Sequence, residues 1–107
     1  MKLNEYQELS KRTMPNKELK KDLANYALGL TGESGEVADH IKKYVFHGHS
    51  LDRMAIKKEL GDVLHYIAGI CTLNHFTLEE VAAANIEKLN ERYPNGFSQQ
   101  DSINRKV

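Results

Sequence analysis

The sequence predicts an all-α protein of one domain over residues 1–107, a four-helix antiparallel bundle with a short N-terminal helix, assembled as an oligomer. Apolar residues recur at steps of three and four over several long stretches, which is the period of an amphipathic helix. No stretch alternates apolar and polar residues as a half-buried strand does. Both prolines, Pro15 and Pro94, fall near the ends of helical patterns. These three observations leave helices as the regular elements of the fold.

The first two predicted helices are separated by Pro15. The first covers about residues 3–13, and Pro15 should end it because the residue before a proline disfavours helical geometry. Its apolar side consists of Leu3, Tyr6 and Leu9. The second helix covers about residues 17–46. Its apolar positions are Leu19, Leu23, Tyr26, Leu30, Val37 and Ile41.

The third predicted helix follows a polar turn, HGHS, at residues 47–50. Ser50 is the expected N-cap, because its hydroxyl can accept a hydrogen bond from the first turn. The helix covers about residues 51–73. Its inward positions are Ile56, Val63, Ile67 and Ile70.

The fourth predicted helix covers about residues 78–92 and begins at a capping box formed by Thr77 and Glu80. Its expected core-facing residues are Leu78, Val81, Ala82, Ile86 and Leu89. The turn signal Pro-Asn-Gly at residues 94–96 ends the helix. The polar tail after about residue 97 is expected to be loosely ordered.

The charge balance excludes some classes of partner. Fifteen basic and fifteen acidic residues cancel, so no overall field favours nucleic acid or an anionic membrane. The longest apolar runs are far shorter than the roughly 20 residues that a membrane span needs, and the charged N-terminus lacks a signal-peptide core. A lone Cys71 excludes an internal disulfide. A cytoplasmic protein without a nucleic-acid or membrane partner is expected.

Four acidic residues on the two middle helices form E-x-x-E and E-x-x-D pairs. They are Glu33, Glu36, Glu59 and Asp62. Residues three apart on a helix are surface neighbours, so each pair can aim two carboxylates at one point, and the pairs can face each other across an antiparallel interface. Glu33 and Glu59 also interrupt apolar stripes, where an unpaired acid is costly. Gathered carboxylates need a cation, and Mg²⁺ prefers oxygen ligands; the alternative is a set of solvated surface charges.

Three stretches together resemble the MazG-like all-α nucleoside triphosphate pyrophosphohydrolases. They are LGLTGESGEVADHIKK, KKELGDVLHYIAGI and NIEKLNERYPNGF, and the resemblance covers roughly residues 20–97. It implies that the four acids bind Mg²⁺, with Mn²⁺ as an alternative ion, and that a nucleoside triphosphate is converted to a monophosphate and pyrophosphate. It also implies that Asn85 and Lys88 contact the triphosphate, and that the protein is a homodimer or a tetramer.

The chemistry of the residues agrees with that expectation. Phosphoryl transfer depends mainly on positioning and on neutralising charge, and Glu36 or Glu33 could orient a water for in-line attack at the α-phosphorus. Asn85 lies on an apolar stripe and needs a hydrogen-bond partner, which a phosphate oxygen or a structural contact would supply. Lys88 adds a positive charge one turn on, unless it is merely solvated. Housekeeping of the nucleotide pool is the expected role, with the base unspecified.

One function of a different class stays open, a non-enzymatic helical interaction module with a structural cation site. The polar interruptions at Glu33, Glu59 and Asn85 favour the enzyme if they converge on one cavity. Histidine chemistry is less favoured: His47 and His49 are too few ligands for a zinc site. The spacing Asp62-x-x-His65 lacks the second motif of a di-iron bundle.

Overall fold

The all-α class is confirmed. The computed structural model describes residues 1–105 and 107, which include no β-strand. The helices are α1 (Leu3–Ser10), α2 (Leu19–Phe46), α3 (Arg53–Leu73), α4 (Leu78–Arg92) and α5 (Gln99–Ile103). None of the helices in this described part combines the length and the apolar character needed to cross a bilayer.

The observed helix ends differ from the predicted ones by a few residues, for local reasons. Lys11–Thr13 form a 3₁₀ turn, and Met14 before the proline is extended, with φ −78° and ψ 124°. Helix α2 begins at Leu19 because Glu18 is extended. The α3 cap is Asp52 and not the expected Ser50: the Ala55 N–H donates to the Asp52 carboxylate at 3.0 Å. Carboxylate caps also suit the positive end of the helix dipole.

The tail of the chain is more regular than the sequence predicts. Where a loosely ordered segment is expected after residue 97, Gln99–Ile103 form helix α5. Ser98 is the N-cap, since its Oγ accepts the Asp101 N–H at 3.0 Å. The Ser98 cap satisfies one of the donors at the start of this short helix.

Helices α2 and α3 form an antiparallel pair, the main packing unit of the chain. Two glycines allow them to come close: the Tyr66 ring lies against Gly29, and the Tyr26 ring lies against Gly69. A Cβ atom at either glycine would overlap the facing ring. These two contacts also fix the register of α2 relative to α3, and thereby the position of every side chain along their interface.

The small buried core lies at one end of this pair. Ala68 and Cys71 of α3 pack with Leu78 at the start of α4, and Tyr6 of α1 and Ile67 cover them. Helix α1 thus joins the end of α3 to the beginning of α4.

The first turn of α4 is held by hydrogen bonds from α1 as well as by its own capping box. The predicted box is confirmed: the Glu80 N–H donates to Thr77 Oγ1 at 3.1 Å, and the Thr77 N–H donates to the Glu80 carboxylate at 2.7 Å. In addition, Gln7 Oε1 accepts the Leu78 N–H at 2.7 Å, and Asn4 Oδ1 accepts the next N–H at 3.2 Å. The otherwise unpaired donors at the start of this helix are therefore satisfied.

Beyond its first residue, α4 is exposed along most of its length. It packs against α1 and makes few contacts with α2 or α3. Leu78 is buried as predicted. Val81, Ile86 and Leu89 are 40%, 59% and 38% exposed. Within a single chain these three side chains therefore do not face the core, contrary to the prediction. The reason is the preceding turn, in which His75 has a left-handed φ of 62° and α1 holds the start of the helix.

Candidate metal centre

Three of the four predicted carboxylates meet at the interface between α2 and α3. One oxygen each from Glu33, Glu59 and Asp62 lies within 4.8 Å of the others. The register explains the meeting. Gly29 faces Tyr66, so a step of four residues along α2 and four back along the antiparallel α3 brings Glu33 opposite Asp62. We call these three residues the acidic cluster.

The acidic cluster is partly shielded from solvent. Glu33 and Glu59 are half-buried, while Asp62 is exposed at the edge. This agrees with the sequence pattern, in which the two glutamates interrupt apolar stripes and the aspartate lies beside one. Glu36 lies one helical turn beyond Glu33, is exposed, and stands outside the cluster.

Crowding changes the acidity of one member. The pKa of Glu33 is raised, first by a hydrogen bond between its carboxyl group and that of Glu59, then by burial and by the negative charges of Asp62, Glu59 and Glu36. Like charges brought close together disfavour the ionised form of each carboxyl group. The crowding therefore favours the protonated form of Glu33 more than in the unfolded chain.

The donor set fits a hard divalent cation. Within the described residues, no lysine or arginine forms an ion pair with any of the three acids. Their converging oxygens are the ligand type that Mg²⁺ and Mn²⁺ prefer. Three protein ligands would leave about half of an octahedral shell free for water or phosphate oxygens. A divalent ion would also neutralise the negative charges that crowd the cluster.

His40 is a neighbour of the cluster that the sequence pattern misses. Its Nε2 lies 3.8 Å from Glu59 Oε1, across the α2–α3 interface. The signal that could have found it is its position one turn after Glu36 on the same helix. On α1, burial and then the negative charge of Asp62 raise the pKa of Tyr6.

The two predicted phosphate-contacting residues lie elsewhere. Asn85 and Lys88 are exposed on α4. In the described part of the chain, neither residue forms a hydrogen bond or an ion pair with the acidic cluster. Within a single chain Asn85 is therefore not turned inward as expected, because α4 packs on α1 and makes few contacts with α2 and α3. Glu33 and Glu59 converge, whereas Asn85 does not join them.

Comparisons with known proteins give one family and one relative. The model of the MazG nucleotide pyrophosphohydrolase domain matches residues 21–97, which contain the whole acidic cluster together with Glu36, Asn85 and Lys88. The Gene 37 protein of Mycobacterium phage L5 is 32% identical over 87 residues, covering 78% of this chain and 76% of the phage protein. No solved structure matches significantly.

Proposed function

The chain belongs to the MazG nucleotide pyrophosphohydrolase family, and from this membership we propose that it is a Mg²⁺-dependent enzyme. It hydrolyses ribo- or deoxyribonucleoside triphosphates to the monophosphate and pyrophosphate, as housekeeping of the nucleotide pool. The observation that carries the proposal is the meeting of Glu33, Glu59 and Asp62 within 4.8 Å. The crowding raises the pKa of Glu33, first through its hydrogen bond with Glu59, and a divalent cation would relieve the same repulsion between the charges.

The proposed roles follow from position. The acidic cluster holds Mg²⁺, with Mn²⁺ as the alternative. Bound there, the ion supplies positive charge beside the phosphate oxygens. Glu36 stands next to the cluster with an exposed carboxylate, and it orients the attacking water and accepts its proton. The water oxygen bonds to the α-phosphorus as the bond from that phosphorus to the bridging oxygen breaks, and pyrophosphate leaves. Glu33 is the alternative base, but its carboxyl group is engaged with Glu59.

The remaining predicted contacts require a second copy of the chain. Asn85 and Lys88 contact the triphosphate from the α4 helix of a neighbouring protomer, in a homodimer or a tetramer. The support is the exposed apolar row on α4, formed by Val81, Ile86 and Leu89. Burying such a row against a copy of the chain would remove apolar area from water at roughly 25 cal/mol per Å².

The test is hydrolysis of a panel of nucleoside triphosphates with Mg²⁺, in which pyrophosphate and phosphate release are assayed separately. We expect pyrophosphate and monophosphate from the wild type, and a rate at least a hundredfold lower in Glu36→Gln and Glu59→Gln. Glu5→Gln makes the same change on exposed α1 and is the matched control. No hydrolysis of any nucleotide, with no effect of Mg²⁺ on the melting temperature, would favour the interaction module instead.

A further inference from the structure

A basic cavity of about 580 Å³ lies at the turn between α2 and α3. Its basic side chains come from three segments: His40 and Lys43 from α2, His49 from the turn, and Arg53 from the first residue of α3. Ser50 adds a hydroxyl group to the wall. The cavity therefore concentrates hydrogen-bond donors in a protein whose overall charge is zero.

The charges of this cavity are only partly neutralised by the protein. Lys43 is paired with Asp39 at 2.8 Å, and that hydrogen bond is the main reason why the pKa of Lys43 is raised. The Asp52 carboxylate, also in the wall, accepts the Ala55 N–H and caps α3. Arg53 and His49 form no ion pair with an acid in the described part of the chain. Their donors are free for a bound anion.

The cavity adjoins the acidic cluster. His40 belongs to both, since it lines the cavity and lies 3.8 Å from Glu59. Lys43 is influenced by the negative charge of Glu36, which contributes to its raised pKa. Arg53 precedes Glu59 by six residues, which is about 9 Å along the helix axis. Along the α2–α3 interface, a site for a cation is thus followed directly by a site for an anion.

We propose that this basic cavity binds the β- and γ-phosphates of the substrate, the part that leaves as pyrophosphate. The inference rests on the proposed function, which places the α-phosphorus at the acidic cluster. Arg53 offers the planar fork that pairs with two phosphate oxygens, while His49 and Ser50 donate single hydrogen bonds. The nucleoside then extends away from the α2–α3 turn. A diphosphate would leave the far end of the cavity empty, so Arg53 and His49 select for triphosphates.

The experiment compares Arg53→Gln and His49→Gln with the wild type in two measurements. The first is kcat/KM for one deoxynucleoside triphosphate and its diphosphate. The second is the affinity for inorganic pyrophosphate in EDTA, followed by amide and side-chain NMR shifts. We expect His49→Gln to lose about tenfold in kcat/KM for the triphosphate, the usual effect of one hydrogen bond to a charged group. Arg53→Gln loses two such bonds and should lose more, and for both variants kcat/KM for the diphosphate should change little. Pyrophosphate affinity should fall in parallel.

Two control variants test whether a lost affinity reflects specific contacts with phosphate. The alternatives are a general loss of positive charge and a disturbance of the fold. Lys57→Gln removes a positive charge from the same helix outside this cavity and should leave both measurements unchanged. Arg53→Lys keeps the charge without the fork and should restore part of the lost affinity.

The outcomes also distinguish this inference from the proposed function. If the wild type hydrolyses triphosphates while both variants keep its triphosphate preference and its pyrophosphate affinity, the cavity proposal is overturned and the enzyme assignment stands. If the wild type hydrolyses nothing, the proposed function fails. The pyrophosphate titration still tests whether the cavity binds an anion. Binding lost in Arg53→Gln supports an anion site, and unchanged binding excludes one.

Discussion

Glu33 shows how one residue connects the helix pattern to the chemistry of the site. On the sequence it interrupts an apolar stripe, and in the structure it is half-buried against Glu59 with a raised pKa. Because the folded-state pKa lies above the unfolded one, the folded state binds the proton more tightly. Stability therefore falls as pH rises through the interval between these two pKa values, starting from about pH 4.3, the ordinary value for glutamate.

A first prediction follows for Glu33→Gln. In EDTA, the free energy of unfolding of this variant relative to the wild type should increase as pH rises from about 4 to 7, because the amide adds no charge to the cluster. Urea unfolding at several pH values measures it, with Glu5→Gln as the exposed control. A difference that stays constant with pH would show that Glu33 ionises in the folded protein as it does in the unfolded chain.

A second prediction concerns addition of the metal. Mg²⁺ or Mn²⁺ at a hundred times its Kd should stabilise the wild type by about 2.7 kcal/mol, because only the folded chain assembles the acidic cluster. Glu59→Gln should lose most of this gain, since it removes one of the three converging carboxylates. Thermal melting with and without the ion measures the effect. An equal gain in both proteins would locate the ion elsewhere.

At the scale of secondary-structure elements, the close approach of α2 and α3 depends on glycines opposite tyrosines. A third prediction is that Gly69→Ala destabilises the protein by about 1–3 kcal/mol, because the new methyl group overlaps the buried Tyr26 ring and overpacks the interface. Gly61→Ala on the same helix meets no neighbouring atom. It should stabilise by up to about 1 kcal/mol through helix propensity. Equilibrium unfolding in urea gives both values, and equal effects would contradict the packing argument.

The attachment of α4 to α1 is a second relation between elements. Gln7 accepts the Leu78 N–H and donates to Thr72 Oγ1 and to the Phe76 carbonyl, at 2.7, 3.1 and 2.8 Å. Since this side chain is buried, a fourth prediction is that Gln7→Ala costs about 1–3 kcal/mol by leaving these groups unsatisfied. Exchange of the Leu78 amide hydrogen should also accelerate. Gln100→Ala, exposed on α5, is the control and should change neither measurement.

At the scale of the whole molecule, the exposed apolar row on α4 is the feature that one chain leaves unexplained. A fifth prediction is that Ile86→Glu shifts the protein toward the monomer, because a charge would have to be buried between copies. Ala83→Glu, also exposed on α4 but off the row, should leave the assembly unchanged. Sedimentation velocity measures both. A wild type that is monomeric at all concentrations would contradict the proposed role of a second copy.

Much of the fold follows from local sequence. Helix lengths, the Thr77–Glu80 capping box and the Pro15 break depend on residues that are neighbours along the chain, so periodicity and capping chemistry are sufficient to predict them. The sequence pattern predicts neither Asp52 as the α3 cap nor the helix at the tail. Ser50 and Asp52 are both favoured N-cap residues and stand two positions apart, so the pattern does not choose between them. The tail helix has only five residues, too few to show a helical period.

The sequence by itself determined the helices and the pairing of two acids on each of two neighbours, because helical period fixes which side chains share a face. Only the tertiary structure decided which acids meet: the glycine–tyrosine contacts set the register that joins Glu33, Glu59 and Asp62 and leaves Glu36 outside. The tertiary structure also decided that α4 packs on α1 and makes few contacts with α2 and α3, since Gln7 of α1 bonds the first residue of α4. Such contacts join residues far apart in the chain, and no local pattern encodes their geometry.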